Sequence, residues 1–96
     1  MFKISKTSPK FLHKLETAIR SGLDHAGIAS PRIISEPVRT TRLHRVCVLS
    51  DGFKNLRPSE RQDLIWRITA DALTKEEQMR ISMILTLTPS EFEGAD

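Results

Sequence analysis

An unbroken apolar run, Val46-Cys47-Val48-Leu49, is followed after a short polar break by a proline and an amphipathic segment, and this arrangement constrains the fold more than any other stretch. The run is too short for a helix and rich in β-branched residues, so it predicts a buried strand. Ser50-Asp51-Gly52 interrupts the pattern, and Phe53 to Arg57 forms a basic connector. Pro58 has its φ preset for a first helical turn and lacks the N–H that would be orphaned there. Leu64, Ile65, Ile68 and Ala72 then recur at three- and four-residue steps, which places them on one helix face.

The same logic extends in both directions. Phe11, Leu12, Leu15, Ala18, Ile19 and Leu23 form a helical stripe, with Ser8-Pro9 as its expected start and Gly27 as its stop. Gly22 weakens that helix by roughly 1 kcal/mol relative to Ala. Arg32 to Glu36 predicts a short strand, which either lies at an edge or ends at Pro37, because that residue has no ladder donor. Thr74-Lys75-Glu76-Glu77 matches a capping box and starts a short third helix. In the last strand, Ile81, Met83, Leu85 and Leu87 alternate with Ser82, Ile84, Thr86 and Thr88, so the odd-numbered set is expected to face the core. Thr88-Pro89-Ser90-Glu91 is a second capping box, opening a helical stub that Gly94 ends.

The expected order gives an α+β domain in which a hairpin is extended by a parallel crossover strand. That is a three-stranded mixed sheet with helices packed on one face. The core is expected to contain Leu15, Ile19, Val46, Val48, Leu64, Ile68, Met83 and Leu85. Residues 1–8 read as a flexible basic tail and 9–94 as one domain, a reasonable load for a chain of 96 residues. One cysteine excludes an internal disulfide, and no cysteine cluster offers a zinc site. There is no apolar leader and no run long enough to span a membrane, so a cytoplasmic protein is expected.

Charge is divided unevenly. Residues 1–67 carry 13 Lys and Arg against 6 Asp and Glu, whereas residues 68–96 carry 2 against 6. Arg39, Arg42 and Arg45 precede the central strand or open it, and Lys54, Arg57 and Arg61 surround the start of the second long helix. This basic strand-loop-helix surface would suit phosphate oxygens, so DNA or RNA is one class of expected partner. The Gly-x-x-Gly loop of nucleic-acid-binding KH domains is absent, and central aromatics are limited to Phe53 and Trp66. No Gly-x-Ser-x-Gly elbow or Gly-rich phosphate loop is present, so catalysis is not expected.

The run Arg45 to Phe53, Arg61, the strand Ile81–Leu87 and the Thr88-Pro89-Ser90-Glu91-Phe92 ending together resemble the BolA-like family. The resemblance covers roughly Phe11 to Gly94 and implies a class II KH-like fold, αββαβ. It also implies a non-enzymatic regulatory role in iron–sulfur or redox handling, stress response included, with a monothiol glutaredoxin as partner. Partner-binding residues would then be Arg61, Gln62 and His44, in a monomer or weak dimer; Trp66, off the α-helical stripe of Leu64, Ile65, Ile68 and Ala72, reads either as a further partner contact or as part of the core. The family's Arg-His-Arg triplet, whose histidine is an implied ligand of a shared cluster, is matched here by Arg61-Gln62-Asp63. An amide is a poor ligand for such a cluster. A histidine often seen at the start of the third strand is matched by Arg80. His44 and Cys47 should point to opposite faces of their strand. His13 and His25 read as solvated, and Cys47 as a buried apolar residue. The isolated protein is therefore expected to hold no iron–sulfur cluster or other metal.

Overall fold

The computed structural model describes residues 10–94, so the expected tail and the Ser8-Pro9 helix start lie outside the described residues. Helix α1 (Lys10–His25) buries Phe11, Leu15, Ile19 and Leu23. It ends in paired terminal hydrogen bonds, with Ile28 N donating to Leu23 O at 2.8 Å and Gly27 N to Asp24 O at 3.1 Å. Gly27 sits at φ +79°, the left-handed conformation this ending requires. Strands β1 (Arg32–Pro37) and β2 (His44–Leu49) pair antiparallel, and β3 (Ile81–Leu87) joins β2 in parallel, so β2 is central. Between β2 and β3 lie a 3₁₀ turn at Asp51–Asn55, helix α2 (Pro58–Ala72) and the single-turn α3 (Lys75–Gln78). Helix α4 (Pro89–Gly94) closes the described chain.

Both expected capping boxes form. Glu77 Oε1 accepts from Thr74 N at 2.9 Å while Thr74 Oγ1 accepts from Glu77 N at 3.1 Å, and Thr88 and Glu91 repeat the exchange at 2.8 and 3.1 Å. At α2, Glu60 Oε1 accepts from Arg57 N at 2.8 Å, and Pro58 opens the helix as expected.

The third strand presents the opposite face from the expected one. Ile84 and Thr86 are buried, whereas Met83 and Leu85 are 42% and 43% exposed. The pairing explains the inversion: His44 opposes Ile81, but Arg45 opposes Met83, so Ser82 is an extra residue. Its hydroxyl donates to His44 O at 3.3 Å across the irregularity. One inserted residue reverses the facing of every side chain beyond it, because the strand period is two. Ile81 thus faces inward ahead of the bulge, and Ile84 and Thr86 face inward after it.

Helix α2 is likewise rotated from the expected stripe. Its innermost residues are Arg61, Ile65 and Thr69, continued by Leu73, with Leu64 and Ile68 packed at the margin. The core joins the α1 stripe to Val46, Val48, Phe53, Ile65, Ile81 and Ile84 on a single face of the sheet. Leu15, Ile19, Val46 and Val48 are buried as expected.

Candidate functional site

The residues expected to contact a partner at the start of α2 are turned largely inward. Arg61 is 5% exposed; its Nε donates to Leu56 O at 3.0 Å, and its Nη1 donates to Thr86 O at 3.3 Å and Glu91 Oε1 at 2.8 Å. Its guanidinium also lies 5.8 Å from the Phe53 ring centroid. Arg61 is therefore an internal tie rather than an exposed contact. Gln62 Nε2 donates to Ile84 O at 2.9 Å and Thr86 Oγ1 at 3.1 Å, while its Oε1 accepts from Trp66 Nε1 at 3.2 Å. Trp66 is half-buried against the core.

These contacts have a joint effect on the sheet. β3 is an edge strand, and Leu87 O accepts from Ser50 N on its β2 side. Alternation turns the carbonyls of Ile84 and Thr86 to the outer side, where Gln62 and Arg61 meet them. Two neighbouring side chains of α2 thus occupy two acceptors of that edge.

His44 stands at the start of β2 with its ring edge toward Phe11, the centroids 5.6 Å apart, and the Arg80 guanidinium lies 4.7 Å from the same Phe11 ring. His44 Nδ1 is buried without a hydrogen-bond partner among the described residues. Burial, and then the Arg80 charge, lower its pKa and favour the neutral ring. Cys47 lies on the other face of the strand and is half-exposed rather than fully buried; burial nonetheless pushes its thiol pKa up. His13 and His25 are exposed.

The cluster implied by the family resemblance does not fit these side chains. Gln62 has its amide engaged on both ends, His44 is enclosed beside a cation, and Cys47 faces away from both. Among the described residues, no group of three or more His, Cys, Asp or Glu side chains could hold a metal ion.

The basic residues do not converge. Arg39 and Arg42 lie in the β1–β2 connection, while Lys54 and Arg57 follow the far end of β2. A six-residue strand separates them by about 20 Å. Arg45 is on the open face, with Nη2 2.9 Å from Glu36 Oε1.

What the fold does assemble is an apolar groove of about 340 Å³ on the sheet face opposite α1 and α2. Ile34, Cys47, Met83 and Leu85 form its floor, Phe92 of α4 leans in at 41% exposure, and the Glu36–Arg45 pair borders it. Sequence periodicity assigned Met83 and Leu85 to the core, so this site was missed. The one local signal was Ile84, an apolar residue amid the hydroxyl-bearing set.

The fold is BolA-like. A solved structure of a bol-like protein from Babesia bovis matches over 86% of this chain and 90% of that one, with a TM-score of 0.53 and 20% sequence identity. No family model matches the chain, and no curated protein does. No helix among the described residues is long and apolar enough to cross a membrane.

Proposed function

We propose that this chain is a non-catalytic, regulatory binding module that receives a glutaredoxin-type redox protein on the open face of its sheet. The observation that carries the reading is the groove itself, where Met83, Leu85 and Phe92 are presented together to solvent around Cys47. Contiguous exposed apolar side chains with a charged border have the composition of a protein-docking surface. The class of partner is the one that the family resemblance of the sequence implies. Because Gln62 is engaged internally, the contact is made by surface complementarity and needs no bridging iron–sulfur cluster.

Calorimetric titration of the full chain with a monothiol glutaredoxin, once cluster-free and once cluster-loaded, tests this. Comparable affinity for both forms is expected, with Leu85→Glu weakening each by about tenfold or more through a buried unpaired charge. No binding to either form would remove the glutaredoxin reading. Binding confined to the loaded form, insensitive to Leu85→Glu, would instead place a cluster at the contact.

A further inference from the structure

The two edges of the sheet are treated differently. The outer carbonyls of β3 are met by Arg61 and Gln62. Those of β1 are not, and the hydrogen-bond parity of β1 follows from its neighbour. His44 N donates to Arg80 O, so the peptide groups of His44, Val46 and Val48 point toward β3. Arg45, Cys47 and Leu49 then point toward β1, where they oppose Glu36, Ile34 and Arg32. By alternation, Ile33, Ser35 and Pro37 direct their backbone groups outward. None of the three has an outward backbone partner among the described residues. Pro37, which has no N–H to offer, occupies one of the outward positions.

We infer that β1 is a self-pairing edge, joining a second copy of this chain antiparallel about a two-fold axis through Ile34 to make a six-stranded sheet. Three features select this occupant and this register. In this arrangement Ile33 opposes the partner copy's Ser35, and both direct N–H and C=O across the junction. The parity is that of a hydrogen-bonded antiparallel pair. Arg32 falls opposite Glu36 of the second copy, twice by symmetry, so a basic and an acidic side chain meet at each end. Arg32 has no carboxylate partner among the described residues. Glu36 binds Arg45 through Oε1, which leaves Oε2 for the incoming guanidinium. Moving the axis to Ser35 would set Glu36 against Ile34, and moving it to Ile33 would set Arg32 against Ile34; either shift keeps the outward N–H groups bonded but separates the opposite charges. Of these registers the Ile34 one alone sets Arg32 against Glu36, and it places the two donor-less prolines, Pro31 and Pro37, opposite each other.

Arg32, Ile34 and Glu36 share the open face, so pairing joins two copies of the groove side by side and leaves both accessible. Six residues a side is well below the roughly 20–30 of a stable interface, so association belongs in the high-micromolar range rather than the nanomolar.

Sedimentation equilibrium of the full chain, from micromolar to millimolar concentration, should show a monomer–dimer equilibrium. Ser35→Pro removes an outward N–H while leaving the β1–β2 ladder its own donors, and should weaken association about tenfold or more, since both copies lose a bond. Cross-linking provides a readout that does not depend on that variant folding. Ile34→Cys in a Cys47→Ala background places two thiols across the axis in a non-hydrogen-bonded pair, where Cα atoms are about 4.5 Å apart and a disulfide can close. Oxidation should give a covalent dimer there, but not with Ile33→Cys in the same background. A protein that stays monomeric at millimolar concentration overturns the inference. So does cross-linking that is no faster at Ile34→Cys than at Ile33→Cys. Preferential cross-linking of Met83→Cys would replace edge pairing with face-to-face stacking of the open grooves.

Discussion

Arg61 is the side chain whose role was least legible from its type. A charged residue in the first turns of a helix reads as exposed, yet here one guanidinium serves Leu56 O, Thr86 O and Glu91 together. The helix face it shares with Ile65 and Thr69 is therefore part polar and part apolar, and hydropathy shifts the expected stripe toward Leu64 and Ile68. Arg61→Met should cost about 2–4 kcal/mol in urea unfolding, because two carbonyls lose their donors while Glu91 can return to water. Arg61→Lys should recover less than half of that, since an ammonium lacks the planar fork that reaches several acceptors at once. A loss below about 0.5 kcal/mol for both variants would mean that Arg61 is not the tie described. Gln62 follows the same pattern: comparison with the family triplet identified it as a lost ligand, and the geometry identifies it as a strut between α2 and β3.

At the scale of elements, α1 and α2 meet at Gly22. A Cβ built there would lie 2.5 Å from Ile68 Cδ1 and 2.7 Å from Ile68 Cγ1, so the glycine permits a close approach of the two helices. Helix propensity alone makes Gly22→Ala stabilising by roughly 1 kcal/mol. Overpacking should outweigh it and give a net loss of about 1–2 kcal/mol in thermal or urea melts. Adding Ile68→Val should restore part of the loss, a coupling absent if the two residues do not touch. The boundaries of the elements were legible because their signals are local: Pro58 at the start of α2, Gly27 after α1, and the boxes Thr74–Glu77 and Thr88–Glu91. Which way β3 faces was not, because a single additional residue at Ser82 depends on pairing with a strand far away in sequence. The expected core therefore included Met83 and Leu85, and the groove they floor was hidden by the same error.

Across the whole molecule, ionisable groups tie the short helices to the rest. Lys14 Nζ lies 2.8 Å from Glu77 Oε1, joining α1 to α3, and Arg61 joins α2 to α4 through Glu91. The Lys14 contact and the Arg61 contact are the leading causes that hold Glu77 and Glu91 below the ordinary carboxylate range, and the Arg57 N–H does the same for Glu60. Depressed acids stabilise the fold fully above their unfolded pKa, about 4.3, and lose that contribution as pH falls through the folded values. His44, depressed from about 6.5, favours the fold above that value and loses its contribution as pH falls toward its lowered folded pKa. The thermal midpoint should therefore decline in two stages on acidification, and Glu77→Gln with Glu91→Gln should flatten the lower one; an unchanged lower stage would exclude these carboxylates. The sequence's charge asymmetry was legible, but not its layout, since Arg42 and Arg57 are assigned to opposite ends of the sheet only by the strand between them. The partly occupied margin of β3 bears on growth. A sheet with two bare margins can add copies without end, whereas one with a single bare margin finishes when that margin is used. Arg61 and Gln62 occupy two acceptors of the β3 margin, so a pair of these molecules turns outward two edges whose carbonyls at Ile84 and Thr86 are already engaged, a poorer template for a fibre than the margin of β1.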